Sequence, residues 1–132
     1  MNNELWPHIE PYNHFYINID QHNIYVEECG NPNGIPIIFL HGGPGGGCLD
    51  VHRRLFNPKQ CRIILFDQRG CGRSIPNASI ENNRPNHIVE DMEQIRQILN
   101  IDKFHLFGGS WGTTLALLYA IKYPKHVVFE YI

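Results

Sequence analysis

No stretch of this chain approaches the roughly 20 consecutive apolar residues that a membrane helix needs, and no run of Lys or Arg is present to follow a phosphate backbone. Membrane and nucleic acid are therefore not expected partners. The opening residues, Met1-Asn2-Asn3-Glu4-Leu5-Trp6-Pro7-His8, have neither the cationic start nor the apolar stretch of a secretory signal, which makes a cytoplasmic protein the expectation. Cysteine is sparse. Cys29, Cys48, Cys61 and Cys71 form no C-x-x-C pair, so zinc and redox motifs lack support, and four reduced thiols are expected. There is no repeat, low-complexity tract or linker. One further absence is chemical: no aspartate occurs among residues 111–132.

What is present is the balance of a single globular domain. The 132 residues are 42% hydrophobic and 18% charged, with a formal net charge of -2. Residues 14–20 and 22–29 are rich in β-branched and aromatic side chains and read as an antiparallel hairpin. The continuous apolar runs at 35–40 and 63–66 have the character of central parallel strands covered on both faces, and 104–107 reads as a third buried strand. Between 86 and 100, Ile88, Met92, Ile95 and Leu99 recur at helical spacing opposite Glu90, Asp91, Glu93 and Arg96, predicting an amphipathic helix on a sheet. A second, almost wholly apolar helix is expected at 113–123 and is stopped by Pro124. Strands alternating with helices behind an antiparallel start give an open α/β fold with a mostly parallel sheet.

In such a sheet, chemistry collects at the carboxyl ends of the strands, where three loops are expected: 41–48, 67–74 and the turn at 108–112. Gly108-Gly109-Ser110-Trp111-Gly112 follows an apolar strand and opens a helix, the context of a nucleophile elbow. The turn is tight enough that Gly108 and Gly112 must nearly lack side chains, leaving Ser110 to project alone as candidate nucleophile. His41-Gly42-Gly43-Pro44-Gly45-Gly46-Gly47 is too glycine-rich for surface filler. Close backbone approach to a developing oxyanion explains it, with the N–H groups of Trp111 and Gly43 as candidate donors. A phosphate loop is the rival reading, but the run continues to Cys48-Leu49 instead of Lys and Ser/Thr. Asp67, Arg69 and Arg73 read as a buried, paired network that fixes loop shape. Cys71 reads as an inert thiol, and a side-chain role for Trp111 stays open.

These three motifs, His41-Gly42-Gly43-Pro44-Gly45-Gly46-Gly47, Asp67-Gln68-Arg69-Gly70-Cys71-Gly72-Arg73-Ser74 and Gly108-Gly109-Ser110-Trp111-Gly112-Thr113-Thr114-Leu115, in this order and spacing, resemble the proline iminopeptidases (prolyl aminopeptidases) of the α/β-hydrolase superfamily. The likeness runs over residues 12–124. It implies Ser110 as nucleophile, Gly43 and Trp111 as oxyanion donors, no cofactor and no metal, and a peptide with an N-terminal proline as substrate. It also implies parts for which this chain has no positions: a helical cap after the sixth strand, and the triad aspartate and histidine beyond it. Residues 1–132 are accordingly expected to be the N-terminal part of a single α/β-hydrolase domain, lacking cap and C-terminal strands.

Local residues do not replace the missing ones. His126 and Glu130 occur in the wrong order, and a helix of about 20 Å carries the chain away from Ser110 before them. His41 lies on the correct edge but reads as a structural histidine. Without a base, about 10³ to 10⁴-fold residual catalysis over water is what an oxyanion hole supplies, so this chain alone is expected to be inactive or weakly active. A composite site completed by a separate C-terminal half is conceivable, though no residue here argues for it. An esterase or lipase-like hydrolase and a non-catalytic product on the same scaffold are the alternative readings.

Overall fold

In the computed structural model, which describes residues 5–43 and 47–128, the chain opens with β1 (Asn13–Ile19) and β2 (His22–Gly30), paired antiparallel. Two residues, not one, make the turn. Asp20 and Gln21 both have positive φ, 51° and 68°, the conformation whose twist matches the flanking strands. Then come β3 (Ile35–Leu40), β4 (Cys61–Phe66), α1 (Pro85–Ile98), β5 (His105–Gly108) and α2 (Trp111–Lys122). The sheet order is β1-β2-β4-β3-β5, antiparallel from β1 to β4 and parallel across β4, β3 and β5.

The apolar runs are continuous because consecutive side chains serve different cores. Ile38, Leu40, Ile64 and Phe66 point to the face covered by α1 and α2, where they meet Ile88, Met92, Ile95, Leu115 and Tyr119. Ile37, Phe39, Ile63 and Leu65 belong to a second cluster with Cys29, Cys48 and Cys61, packed by Leu55 and Phe56. Burying each such side chain contributes about 1.5 to 3 kcal/mol. Cys29, Cys48 and Cys61 are buried thiols, and burial pushes that of Cys29 up to about 12.

Two expectations need correction. The strand expected at 104–107 is β5, at the edge of the described sheet, and Phe107 keeps 45% of its surface exposed. Its position in the order leaves one flank without a neighbouring strand, apart from a single parallel bridge between Phe104 and Val127. The second helix begins at Trp111, two residues earlier than expected, and its apolar character is not matched by burial: Leu117 and Ile121 are 60% and 76% exposed. Among the described residues no helix is long and apolar enough to cross a membrane. Residues 129–132, and with them Glu130, lie outside the described residues.

A buried polar contact joins the two helices. Tyr119 Oη on α2 donates to Glu93 Oε1 on α1 at 2.8 Å, and Arg96 holds the same carboxylate through Nε and an Nη at 2.8 and 2.7 Å. Chiefly through Arg96, the carboxyl is held down at about 2. A group with a depressed folded pKa stabilises above its unfolded value and loses that contribution as pH falls through the folded one, here from 4.5 toward 2, worth about 3 kcal/mol. Urea midpoints measured between pH 6 and 2 should therefore fall across this window, and Glu93→Gln should flatten that part of the profile.

Candidate active site

Strands β3, β4 and β5 end side by side, so the residues that follow them share one edge. After β5 the chain turns through Gly109 and Ser110 directly into α2. Ser110 has φ 55° and ψ -121°, a left-handed backbone that a residue with a side chain adopts only when its surroundings enforce it. The enforcement is steric. A Cβ on Gly112 would lie 2.1 Å from the Leu40 carbonyl oxygen, and one on Gly108 would lie 2.9 Å from the same oxygen and 2.9 Å from the Gly112 carbonyl carbon. The first turn of α2 thus rests on the end of β3, backbone on backbone. Both flanking glycines are explained by this approach, whereas a Cβ on Gly109 meets nothing within 4 Å.

Ser110 is exposed and lines a cleft of about 390 Å³ with Gly43, Gln68, Cys71, Asn83, Ile88 and Trp111. The glycine loop faces it: Cβ positions on Gly42 and Gly43 fall 3.9 Å from Ser110 Cβ and 3.7 Å from Trp111 Cδ1. Pro44, Gly45 and Gly46 lie outside the described residues. Trp111 is the first residue of α2, where a backbone N–H has no acceptor within its own helix.

A family model of the alpha/beta hydrolase fold matches residues 35–128. The chain belongs to the α/β-hydrolase fold family. It is 50% identical to the proline iminopeptidase of Xylella fastidiosa over 122 residues, covering 92% of this chain and 39% of that relative. Against the proline iminopeptidase of Xanthomonas citri it is 51% identical over 117 residues, covering 88% and 37%. Among solved structures, a proline iminopeptidase-related protein from Thermus thermophilus superposes with a TM-score of 0.74 at 29% identity, over 86% of this chain and 41% of that one. The chain spans about two fifths of the length of these relatives.

In this chain the acidic and basic residues near the elbow are committed elsewhere. Asp67 is fully buried and accepts from the Cys48 N–H (2.7 Å), the Arg73 N–H (2.9 Å) and Arg73 Nε (2.7 Å). Gly47 and Gly72, with φ 72° and 49°, close over its carboxylate so tightly that a Cβ on either would lie 2.8 or 2.7 Å from an oxygen. The single network expected for Asp67, Arg69 and Arg73 is in fact two. Arg73 clamps Asp67 and reaches Glu27, while Arg69 forks onto Asp91 at 2.7 and 2.6 Å and also takes Asp20 and the Asn82 carbonyl. Residues far apart in the chain complete each one, which is why local spacing did not separate them.

Neither histidine considered from sequence is available as a base. Both ring nitrogens of His41 are engaged: Nε2 accepts the Gln68 backbone N–H at 3.0 Å, so Nδ1 carries the proton and donates to the Gly42 carbonyl at 2.7 Å. Burial lowers its pKa, which keeps the ring neutral. His126 sits at the opposite end of β5, where its carbonyl accepts from Phe104 N–H and its Nδ1 lies 2.8 Å from the Asp102 carbonyl oxygen.

Asn83 and Gln68 of the cleft carry no sequence signal of their own, although Gln68 stands beside Asp67 in a motif already singled out. The Gln68 side chain accepts from Trp111 Nε1 at 3.0 Å and donates to the His41 carbonyl at 2.8 Å. The indole thus has a polar partner.

The glycine geometry is testable by thermal unfolding. Gly112→Ala should destabilise by about 3 kcal/mol or more, because the methyl meets backbone that cannot move aside. Gly109→Ala should stay within about 0.5 kcal/mol of the parent.

Proposed function

We propose that this chain carries the nucleophile and oxyanion donors of a serine aminopeptidase of the proline iminopeptidase type. The observation behind this reading is the backbone of Ser110, held at positive φ between an apolar strand and a helix N-terminus and facing a cleft shared with Gly43 and Trp111. Strain of this kind, about 1 to 3 kcal/mol, persists at sites where it serves a mechanism.

In the proposed reaction Ser110 Oγ forms a bond to the carbonyl carbon of an N-terminal proline. The carbonyl oxygen becomes an oxyanion and accepts from the Trp111 and Gly43 N–H groups, with the partial positive charge of the α2 N-terminus adding to them. The hydroxyl proton passes to a base and from there to the departing amine. Water then cleaves the prolyl ester, returning the proton to Ser110 and releasing proline. Neither His41, whose ring nitrogens are already bonded, nor His126, at the far end of β5, is that base. The 132 residues form, on this reading, the N-terminal part of a single catalytic domain. The substrate is supported by the names of the relatives at about 50% identity.

Release of arylamine from a prolyl arylamide should be slow in this chain and should disappear in Ser110→Ala. A measurable parent rate that survives Ser110→Ala would refute the nucleophile. A parent that prefers p-nitrophenyl esters to prolyl arylamides would point to an esterase-type hydrolase instead.

A further inference from the structure

Three loops that are distant in sequence have to present two amides at one point. The glycine loop leaves β3, the 67–74 loop leaves β4, and the elbow leaves β5, and in each parallel pair only the strands are tied by ladder bonds. Beyond the strands, the buried Gln68 side chain of the second loop bonds to both of the others. Gln68 receives the Trp111 indole N–H on Oε1 at 3.0 Å and gives Nε2–H to the His41 carbonyl at 2.8 Å. Its own backbone N–H bonds to His41 Nε2 at 3.0 Å, and the other nitrogen of that ring holds the Gly42 carbonyl. The path runs unbroken from Trp111 to the residue before Gly43.

We infer that Gln68 is the positioning residue that sets Trp111 against the 41–43 segment, and through it the spacing of the two amides assigned to the oxyanion. The inference rests on the acyl-transfer reading for its functional consequence. Both halves of the amide are required, because the site asks for an acceptor toward the indole and a donor toward a carbonyl, 43 and 27 residues away in the chain. Carboxylate, hydrocarbon or thioether side chains supply at most one of these. The bonds also orient the His41 ring, since an unshifted Gln68 N–H dictates which ring nitrogen keeps its lone pair.

The test uses the 132-residue chain in a Trp6→Phe background, which leaves Trp111 as its sole tryptophan. Gln68→Met keeps the volume and removes both side-chain bonds. Hydrogen exchange at the Trp111 indole should rise about 10-fold or more, and the backbone amide resonances of Gly42, Gly43 and Trp111 should shift while those of β1 and β2 stay in place. Gln68→Glu accepts from the indole at any pH but donates to His41 only when protonated, so its spectrum should approach the parent as pH falls and depart as it rises. Amides at Gly43 and Trp111 that do not move in Gln68→Met, or that move no more than the β1–β2 hairpin, would overturn the inference.

A fluorophosphonate probe reads the consequence. The Ser110 Oγ–P bond forms as the P–F bond breaks, with fluoride leaving and the hydroxyl proton passing to buffer. Labelling should slow about 10-fold in Gln68→Met, and an unchanged rate counts against the inference. A parent that labels no faster than Ser110→Ala would sink the nucleophile instead, with the amide shifts still deciding Gln68.

Discussion

The approach of α2 to the end of β3 is the constraint on which the site depends. With the Leu40 carbonyl only 2.1 Å from where a Gly112 side chain would begin, the helix is pressed onto the strand at its first turn. The residue that connects strand and helix beside this contact takes a positive φ. Ser110 turns outward there, and the helix N-terminus is aimed into the same cleft that the glycine loop borders. Sterics at a single backbone contact are thereby converted into the direction of one hydroxyl.

Around this contact the charged residues do architectural work. Asp67, enclosed by two left-handed glycines, folds its loop onto its own carboxylate, while the Arg69–Asp91 pair links the β4–α1 connection to the helix that flanks the cleft. Breaking such buried pairs by removing one partner costs about 3 to 5 kcal/mol, even where the intact pair adds little net stability. Their role is to hold shape. The chemistry assigned to the site needs no carboxylate from this set, and the geometry offers none.

Much of this was legible in the residues themselves. The runs at 35–40 and 63–66 announced covered strands, the spacing of Ile88, Met92 and Ile95 announced the helix, and Gly108-Gly109-Ser110-Trp111-Gly112 announced the elbow. What escaped was whatever depends on neighbours distant in the chain. Phe107 looks identical in sequence to a core residue, and only its edge position leaves it half-exposed. Arg69 and Arg73 look equivalent within one motif, yet their carboxylates come from α1 and from Asp67. Gln68 carries no charge and no catalytic reputation, so its link between Trp111 and His41 emerges only when the three loops are seen together.

The alternation of β3 between two cores has a consequence for the loop that follows it. Ile38 and Leu40 face the helices while Ile37 and Phe39 face away from them, so the direction in which His41 departs is already decided several residues upstream. Loss of one residue within β3 would invert every side chain beyond the cut. The imidazole would then leave on the wrong side of the sheet, and the glycine run would open away from the serine.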